Sequence, residues 1–211
     1  MKEYDWLCSE PWYDQDAYVI GGGSSLKNFD WTLLEKFNTI GCNDAYKLGQ
    51  KVCKICIFGD VSWWKHHREH LEGYTGITVT NVCNLATDRP SWVNYFERQH
   101  RGLCKLSENK LGWNGNTGTS AINLALNLGA RTVYLLGFDM SAINGETNWH
   151  DEIIHPNAVL PSSYQTFRDR WKYVAQDLEN KFSDRRVINI SSTSKLAGTE
   201  LINCKEYWKD R

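Results

Sequence analysis

The chain has 211 residues, a net charge of −1, 13% aromatic residues and only 4 Pro. This length can bury a full hydrophobic core and predicts a single domain, while the near-neutral charge excludes the global positive field that recruits nucleic acid. A polar N-terminus and the lack of a long apolar run predict no signal peptide and no membrane span, so we expect a cytoplasmic protein.

The first predicted strand ends in a glycine-rich loop. Residues 1–16 are aromatic and acidic and are expected to form an arm over the core; the apolar run 17–20 then predicts a buried strand, which stops at Gly21-Gly22-Gly23-Ser24-Ser25. A strand that ends in glycines before a helix presents bare backbone N–H groups, which suit a phosphate. We expect glycine here because a Cβ would hold the ligand away from the backbone. An ordinary tight turn stays open on this motif alone.

Two better-defined phosphate loops are absent. Leu26 stands where the dinucleotide fingerprint has its third glycine, and no Gly-Lys-Ser/Thr of a Walker A loop follows. Asp44, however, lies about twenty residues beyond the glycine loop, where a dinucleotide enzyme keeps the acid that binds its ribose. This spacing keeps an NAD-dependent enzyme among the candidate functions.

Strands and helices alternate through the next part of the chain. Further strands are predicted at 39–42, 52–58 and 76–80, and the first two end in Asn43-Asp44 and Gly59-Asp60. Asp30 is expected to cap a helix over 31–37, and Ser62 a helix that ends at Leu71. The segment 82–113 lacks a clear period; we interpret 90–99 as a helix and the rest as an excursion over the site.

Regular structure returns after residue 113. A polar loop, 114–120, leads into a helix with Ala121, Leu124, Ala125 and Leu128 on one face, and Gly129 ends it. A strand at 131–136 ends in Gly137-Phe138-Asp139. After a polar segment, 140–160, a long helix begins near Pro161 with an apolar stripe at helical period: Tyr164, Phe167, Trp171, Val174 and Leu178. The last strand is predicted at 187–190.

This alternation predicts an α/β fold, Rossmann-like, with a mostly parallel sheet and helices on both faces. Small and polar residues follow most of the strands: 21–25, Asn43-Asp44, Gly59-Asp60, Asp139 and the serines and threonine of 191–194. Ligands of such sheets bind outside the carboxyl ends of the strands. Because several loops converge on that one place, the sequence predicts a site for a nucleotide or another phosphate ligand.

An ordered set of short motifs in 18–194 resembles a known family: Gly21-Gly22-Gly23-Ser24-Ser25-Leu26, Gly41-Cys42-Asn43-Asp44, Asn116-Thr117-Gly118 and Leu135-Leu136-Gly137-Phe138-Asp139. The set is similar to Rossmann-like glycosyltransferases of the family-42 bacterial sialyltransferase type. A related group of uncharacterised tailed-phage proteins is closer still, and shares Phe58-Gly59-Asp60, Trp63-Trp64, His67 and Asn148-Trp149-His150. Phage origin would place the protein in the host cytoplasm.

The resemblance implies a metal-independent glycosyltransferase with a CMP-sugar or another nucleotide-sugar donor. It implies that the nucleotide is held by Gly21, Gly22, Gly23, Ser24, Ser25, Asn43, Asn116, Thr117 and Gly118, with Thr119 in the same helix start. A histidine before the long helix acts as general base in the family, which implies His155 here and His150 as the second candidate. Gly22 replaces the family's Asn, and Met140 or Ser141 its Tyr, so the resemblance implies nucleotide binding more strongly than sialyl transfer.

Further candidates come from the residue types. Asp60 and Asp139 could bind a ribose hydroxyl or hold Mg²⁺ on a diphosphate, or simply form turns. His150 and His155 could accept a hydroxyl proton with Asp151 or Glu152 orienting the ring, hold a metal with neighbouring acids, or be solvated loop residues. Four tryptophans near the site loops could stack a base or sugar or pack in the core: Trp63, Trp64, Trp113 and Trp149.

Two more patterns favour structural roles. The chain has 7 Cys, an odd number that predicts free thiols, and we interpret Cys53 and Cys56 as buried thiols of a strand. His66 and His70 have the spacing of helical metal ligands, but no third ligand is evident, so a solvated helix face is favoured.

The sequence therefore favours a nucleotide-binding transferase, a glycosyltransferase acting on a hydroxyl acceptor such as a glycan, a small molecule or modified DNA. No cofactor is firmly implied, and Mg²⁺ and a homo-oligomer stay open. A similar glycine-loop pattern in archaeal pterin pyrophosphokinases keeps an ATP- and Mg²⁺-dependent kinase as an alternative. An NAD-dependent enzyme and a non-catalytic nucleotide-binding protein also stay open, because fold analogy does not decide between these functions.

Overall fold

The structure, a computed structural model, describes residues 11–150, 161–191, 194–196, 200–201 and 204–208. Their strands are β1 (Asp16–Ile20), β2 (Asn38–Cys42), β3 (Ile55–Phe58), β4 (Ile77–Thr80), β5 (Val93–Tyr95), β6 (Glu97–Gln99), β7 (Lys110–Gly112), β8 (Thr132–Leu136), β9 (Arg186–Asn189) and β10 (Glu200–Leu201). Their α-helices are α1 (Val61–Leu71), α2 (Thr117–Asn127), α3 (Pro161–Lys181) and α4 (Cys204–Tyr207). The α/β fold class is confirmed.

Eight strands form one parallel sheet in the order β10-β9-β8-β1-β2-β3-β4-β5, while β6 and β7 pair separately. The chain builds outward from β1 through β2, β3 and β4, and then returns to place β8 on the other side of β1. The sheet therefore has its topological switch point at the carboxyl end of β1, where ligands of open α/β sheets bind. Ile20 pairs with Leu136 on one side and Gly41 on the other, so these three strand ends are level.

Alternate residues of the strands feed two hydrophobic layers. Val19 and Leu135 belong to the layer that contains α2 and the middle of α3, whereas Tyr18 and Ile20 belong to the layer that contains α1. Helix α2 has ten of its eleven residues buried, and five of these ten are Thr, Ser or Asn. The expected covering of both sheet faces by helices is confirmed.

The interpretation of 90–99 as a helix is wrong. Val93–Tyr95 extends the main sheet by pairing with β4, and Glu97–Gln99 pairs with β7. Val93 and Phe96 are buried with partly or fully exposed residues on either side of them, and this spacing of three also fits a helix, so the burial pattern alone does not reveal the strands. The β-branched and aromatic residues here satisfy their backbone groups at the open edge of β4 instead.

Smaller corrections concern where elements begin. Helix α1 starts at Val61 with Asp60 at the N-cap position, so Ser62 is not its cap. Asp30 does cap the following turn, accepting from Thr32 N at 3.1 Å, but the helix expected at 31–37 is a single 3-10 turn, Trp31–Leu34. Strand β3 begins at Ile55, because Val52 and Cys53 instead bond back to Gly49 O in a turn.

Several further expectations are met where the residues are described. Cys53 and Cys56 are buried free thiols, and burial raises the pKa of Cys53 to about 11. His66 and His70 lie on an exposed face of α1. No helix in the described part of the chain is long and apolar enough to cross a membrane. The single-domain organisation, with an arm at 1–16 and an excursion at 82–113, stays a prediction; residues 1–10 lie outside the described ranges.

Candidate functional site

A cavity of about 530 Å³ lies at the carboxyl ends of β1, β2, β3 and β8. Its lining comes from separate loops, as the sequence predicted. The predicted residues that line it are Gly21, Gly22, Gly23, Asn43, Asp44, Asp60, Asn116, Thr117, Gly118, Asp139 and His150. Ser24, Ser25 and Thr119 are not part of the lining. His155 lies outside the described residues.

The glycine loop, residues 21–25, packs directly on the end of β8. Gly21 N donates to Leu136 O at 2.7 Å and Gly23 N donates to Gly137 O at 2.9 Å. A Cβ on Gly21 would lie 2.8 Å from Gly137 O, which is too close for any real side chain. Glycine is therefore required at Gly21 by the neighbouring backbone, and close approach of a ligand to the loop stays a prediction.

Asp139 ties three strand ends together. Its Oδ2 accepts from Ser25 N at 2.9 Å and its Oδ1 accepts from Ser191 Oγ at 3.0 Å, and the residue is 2% exposed. Both carboxylate oxygens are thus engaged within the protein, which favours the structural role that the sequence left open for Asp139.

The N-terminus of α2 faces the cavity with unused donors. Asn116 caps the helix, because its Oδ1 accepts from Thr119 N at 2.9 Å. The N–H groups of Thr117 and Gly118 donate to no other described residue, and both residues line the cavity. Free N–H groups and the positive end of the helix dipole together favour an anion at this position.

Side chains from the turn that follows β2 and from α1 contact the carboxylate of Asp44. Trp63 Nε1 donates to its Oδ1 at 2.6 Å, and Lys47 Nζ donates to its Oδ2 at 2.9 Å. The buried His67 places Nε2 3.6 Å from Oδ1. Asp44 itself is only 4% exposed. The sequence analysis did not identify Lys47 as a partner of Asp44, because their contact depends on a turn that no sequence motif predicts.

One wall of the cavity is aromatic. Trp63 and Trp113 line it, whereas Trp64 stacks on Phe58 in the core. The guanidinium of Arg98 lies 4.1 Å from the Trp113 ring centroid, and a Cβ on Gly59 would collide with that ring. The Trp113 ring is therefore held in place between Arg98 and the strand end that carries Asp60.

Helix α3 contributes to the cavity two residues that the sequence analysis had placed in its apolar stripe. Its apolar stripe divides in two: Trp171 and Val174 are buried in the core, while Tyr164 and Phe167 are half-buried and line the cavity. Burial, together with the charge of Asp139, raises the pKa of Tyr164, so its hydroxyl stays protonated and can donate at neutral pH. No sequence signal separates the two halves of the stripe.

A segment after β8 folds back over the glycine loop and delivers His150. Ile143 and Glu146 pair in a tight turn, Lys27 forms an ion pair with Glu146, and Trp149 N donates to Gly22 O at 3.0 Å. Trp149 Nε1 also donates to Gly21 O at 2.9 Å. Trp149 therefore acts as an anchor for this segment, and the next residue, His150, enters the cavity lining.

Asp60 provides a first prediction. Desolvation raises its pKa above the ordinary value, and the charge of Arg98 opposes the shift only in part. An aspartate whose pKa is raised on folding destabilises the fold as pH rises from its unfolded pKa of about 3.9 through its folded pKa. Because Asp60 is an exposed residue, solvent screens much of this effect, so we expect Asp60→Asn to raise the thermal unfolding midpoint only slightly at neutral pH and not at all well below pH ~3.9. An unchanged or lower midpoint at neutral pH would contradict this.

The chain matches no family model and no curated protein sequence. Its structure is similar to the MAf glycosyltransferase from Magnetospirillum magneticum AMB-1, with 15% identity and a TM-score of 0.58 over 96% of this chain and 38% of that one. The chain thus spans well under half of that protein.

Two structures of the sialyltransferase CstII from Campylobacter jejuni are also similar. The structure with the substrate analogue CMP-3FNeuAc has 13% identity, a TM-score of 0.51 and coverage of 88% of this chain and 85% of that one. The structure with a trisaccharide acceptor and CMP has 18% identity, a TM-score of 0.50 and coverage of 89% and 86%. The sialyltransferase-like glycosyltransferase fold implied by the motifs is confirmed.

Proposed function

We propose that the chain is a nucleotide-binding transferase, a glycosyltransferase that moves a sugar from a nucleotide-activated donor to a hydroxyl acceptor. The observation that carries the proposal is the free helix N-terminus at Thr117 and Gly118, which shares one cavity with a histidine in a glycosyltransferase fold. An anion site beside a general base is what transfer from a nucleotide sugar needs.

The mechanism follows from these positions. The N–H groups of Thr117 and Gly118 bind the donor phosphate and stabilise the charge that grows on it. His150 accepts the proton of the acceptor hydroxyl as its oxygen bonds to the anomeric carbon. The bond between that carbon and the phosphate oxygen breaks in the same displacement, and the nucleotide leaves with the electron pair. His155, the first candidate from the resemblance, lies outside the described residues and stays the alternative base, and Trp63 and Trp113 offer rings for stacking.

Donor and acceptor are proposed from the neighbouring structures and the motifs. CstII was solved with CMP, with a CMP-sugar analogue and with a trisaccharide acceptor, which makes a CMP-sugar and a glycan the first candidates. The likeness to tailed-phage proteins adds a small molecule and modified DNA as acceptors. The proposal also includes a cytoplasmic location and a homo-oligomer.

An NAD-dependent enzyme and a pyrophosphokinase have weaker support in the site. For the NAD-dependent enzyme, Asp44 would bind ribose, but the residue is only 4% exposed behind Trp63 and Lys47, which leaves little of its carboxylate open to a ligand. For the pyrophosphokinase, Mg²⁺ would use Asp60 and Asp139, and the oxygens of Asp139 are engaged by Ser25 and Ser191. Asp60 alone favours the kinase.

A thermal-shift panel tests the proposal, with CMP, CDP, UDP, GDP, ATP and NAD, each with Mg²⁺ or a chelator. A ligand at a hundred times its Kd adds about 2.7 kcal/mol, which for a chain of this size raises the midpoint by about 5–10 °C. We expect CMP or another pyrimidine or guanine nucleotide to do this in the presence of chelator. The sugar nucleotide of the same base then serves as donor in a turnover assay.

The panel separates the competing functions. A shift that requires both ATP and Mg²⁺ would favour the pyrophosphokinase, and a shift with NAD alone would favour the dinucleotide enzyme. Tight nucleotide binding with no turnover of any matching sugar nucleotide would leave a non-catalytic binder. No shift with any nucleotide would refute the assignment of the α2 N-terminus.

A further inference from the structure

His150 lies beside a buried carboxylate from a distant part of the chain. Its Nδ1 is 3.8 Å from Asp44 Oδ2, and the side chains of the two residues are 19% and 5% exposed. This nitrogen is buried and has no hydrogen-bond partner among the described residues. The ring as a whole lines the cavity. Because Nδ1 is turned toward Asp44, Nε2 is the ring nitrogen left for a ligand.

The Asp44 carboxylate is held in a fixed orientation. Trp63 Nε1 bonds to Oδ1 at 2.6 Å and Lys47 Nζ bonds to Oδ2 at 2.9 Å. A carboxylate oxygen can accept more than one hydrogen bond, so Oδ2 retains capacity for a second donor. His67, which stacks on Trp63 at a ring separation of 4.5 Å, places its Nε2 3.6 Å from Oδ1 of the same carboxylate. Asp44 is thus a rigid acceptor and not a side chain free to follow a ligand.

The backbone next to His150 is anchored, whereas its imidazole ring can still turn about the side-chain torsions. The preceding residue, Trp149, bonds to the glycine loop through its backbone N–H and its indole N–H, at 3.0 and 2.9 Å. A movement of about 1 Å brings Nδ1 within hydrogen-bond distance of Oδ2, and catalytic hydrogen bonds are often this long before substrate binds.

We propose that Asp44 is a positioning residue for His150: it accepts a hydrogen bond from Nδ1–H and leaves Nε2 unprotonated toward the cavity. This rests on the proposed function, in which Nε2 takes the proton of the acceptor hydroxyl. The imidazolium that forms is stabilised by the Asp44 charge and later releases its proton to water. The role is an alternative to the ribose contact that the sequence suggested for Asp44.

The first test needs no substrate and no variant of Asp44. Long-range ¹H–¹⁵N NMR spectra of the intact protein, recorded well above the ordinary histidine pKa of about 6.5, report which nitrogen of each neutral ring carries hydrogen. The resonances of His150 are identified by their loss in His150→Gln. We expect the Nδ1–H tautomer. Finding the Nε2–H tautomer at His150 would overturn the pairing.

The second test compares Asp44→Asn with Asp60→Asn, the same change at another carboxylate of the cavity. Asp44→Asn should abolish the preference for Nδ1–H at His150, and Asp60→Asn should leave it in place. With the donor found by the nucleotide panel, we expect Asp44→Asn to lower kcat about 10²-fold and to leave the Kd of the free nucleotide within about twofold. A large rise in Kd with little loss of kcat would instead make Asp44 a ribose ligand.

These readouts keep the two proposals apart. If no sugar nucleotide is turned over, the proposed function fails, while the NMR spectra still decide whether Asp44 and His150 form a pair. If turnover is found and His150 carries hydrogen at Nε2, the proposed function stands and the role of Asp44 is wrong.

Discussion

Thr117→Asp is expected to abolish nucleotide binding without weakening the fold by much. Thr117 is the first residue of α2, is 6% exposed and lines the cavity, so a carboxylate there occupies the place proposed for the donor phosphate. Its charge would satisfy the free N–H groups and repel a phosphate. The Kd of the nucleotide that stabilises the wild-type protein should rise at least 100-fold, which corresponds to about 2.7 kcal/mol.

The same substitution should not lower the stability of the fold by much. A negative charge in the first turn of a helix is favourable by about 0.3–1 kcal/mol, and desolvation at this buried position opposes that gain, so the unfolding free energy should stay within about 1 kcal/mol of the wild-type value. The matched control is Thr117→Asn, which has nearly the same shape and no charge, and which should keep most of the affinity. Calorimetric titration and urea unfolding of both variants measure the two effects.

Two outcomes would count against the anion site. Equal losses of affinity in Thr117→Asp and Thr117→Asn would show that shape, and not charge, controls this position. Unchanged affinity in both would place the phosphate elsewhere in the cavity.

The sequence predicts the position of this site because its signals are local. The glycine loop, Asn43 and the start of α2 each follow a strand end or open a helix, and in a parallel sheet all strand ends of one kind meet at one edge. The pattern of strand, glycine and helix cap therefore predicts the fold and eleven of the residues that line the cavity without any knowledge of long-range contacts.

Local pattern fails where a tertiary contact decides the outcome. Residues 90–99 form strands because the edge of β4 is open, which no property of Pro90 or Val93 reveals. The pairing of Asp44 with His150 joins residues more than a hundred positions apart, through Trp149 and the glycine loop. The sequence suggested acids next to His150 as its partners, because only sequence neighbours can be compared in that way.

The structure gives a reason for the glycines that the sequence analysis did not consider. Sequence reasoning treats a glycine loop as space for a ligand, but Gly21 would collide with Gly137 O and Gly118 with the ring of Phe138 if either carried a Cβ. Tight packing between the loop, α2 and the end of β8 is thus what the glycines permit. The anion site is a consequence of that packing, since it brings a helix N-terminus to the level of the strand ends.

Asp139→Ala is expected to cause the largest loss of stability among these variants, about 3 kcal/mol. The buried carboxylate accepts hydrogen bonds from Ser25 N and Ser191 Oγ, and each bond to a charged acceptor contributes about 1.5–3 kcal/mol. Alanine leaves both donors without their acceptor. Urea unfolding measures the loss, and Asp184→Ala is the control, because that aspartate is 72% exposed and should change stability by less than about 0.5 kcal/mol.

The variant also tests whether the glycine loop depends on Asp139 for its position. Ser25 is held to Asp139, while Gly21 and Gly23 are held separately to the end of β8 through backbone bonds. We expect amide hydrogen exchange to increase at Ser25 in Asp139→Ala and to change little at Gly21. If stability falls by less than about 1 kcal/mol and exchange at Ser25 is unchanged, the loop is fixed by its backbone bonds alone. The carboxylate of Asp139 would then be free for a ligand, which would reopen the metal-dependent pyrophosphokinase.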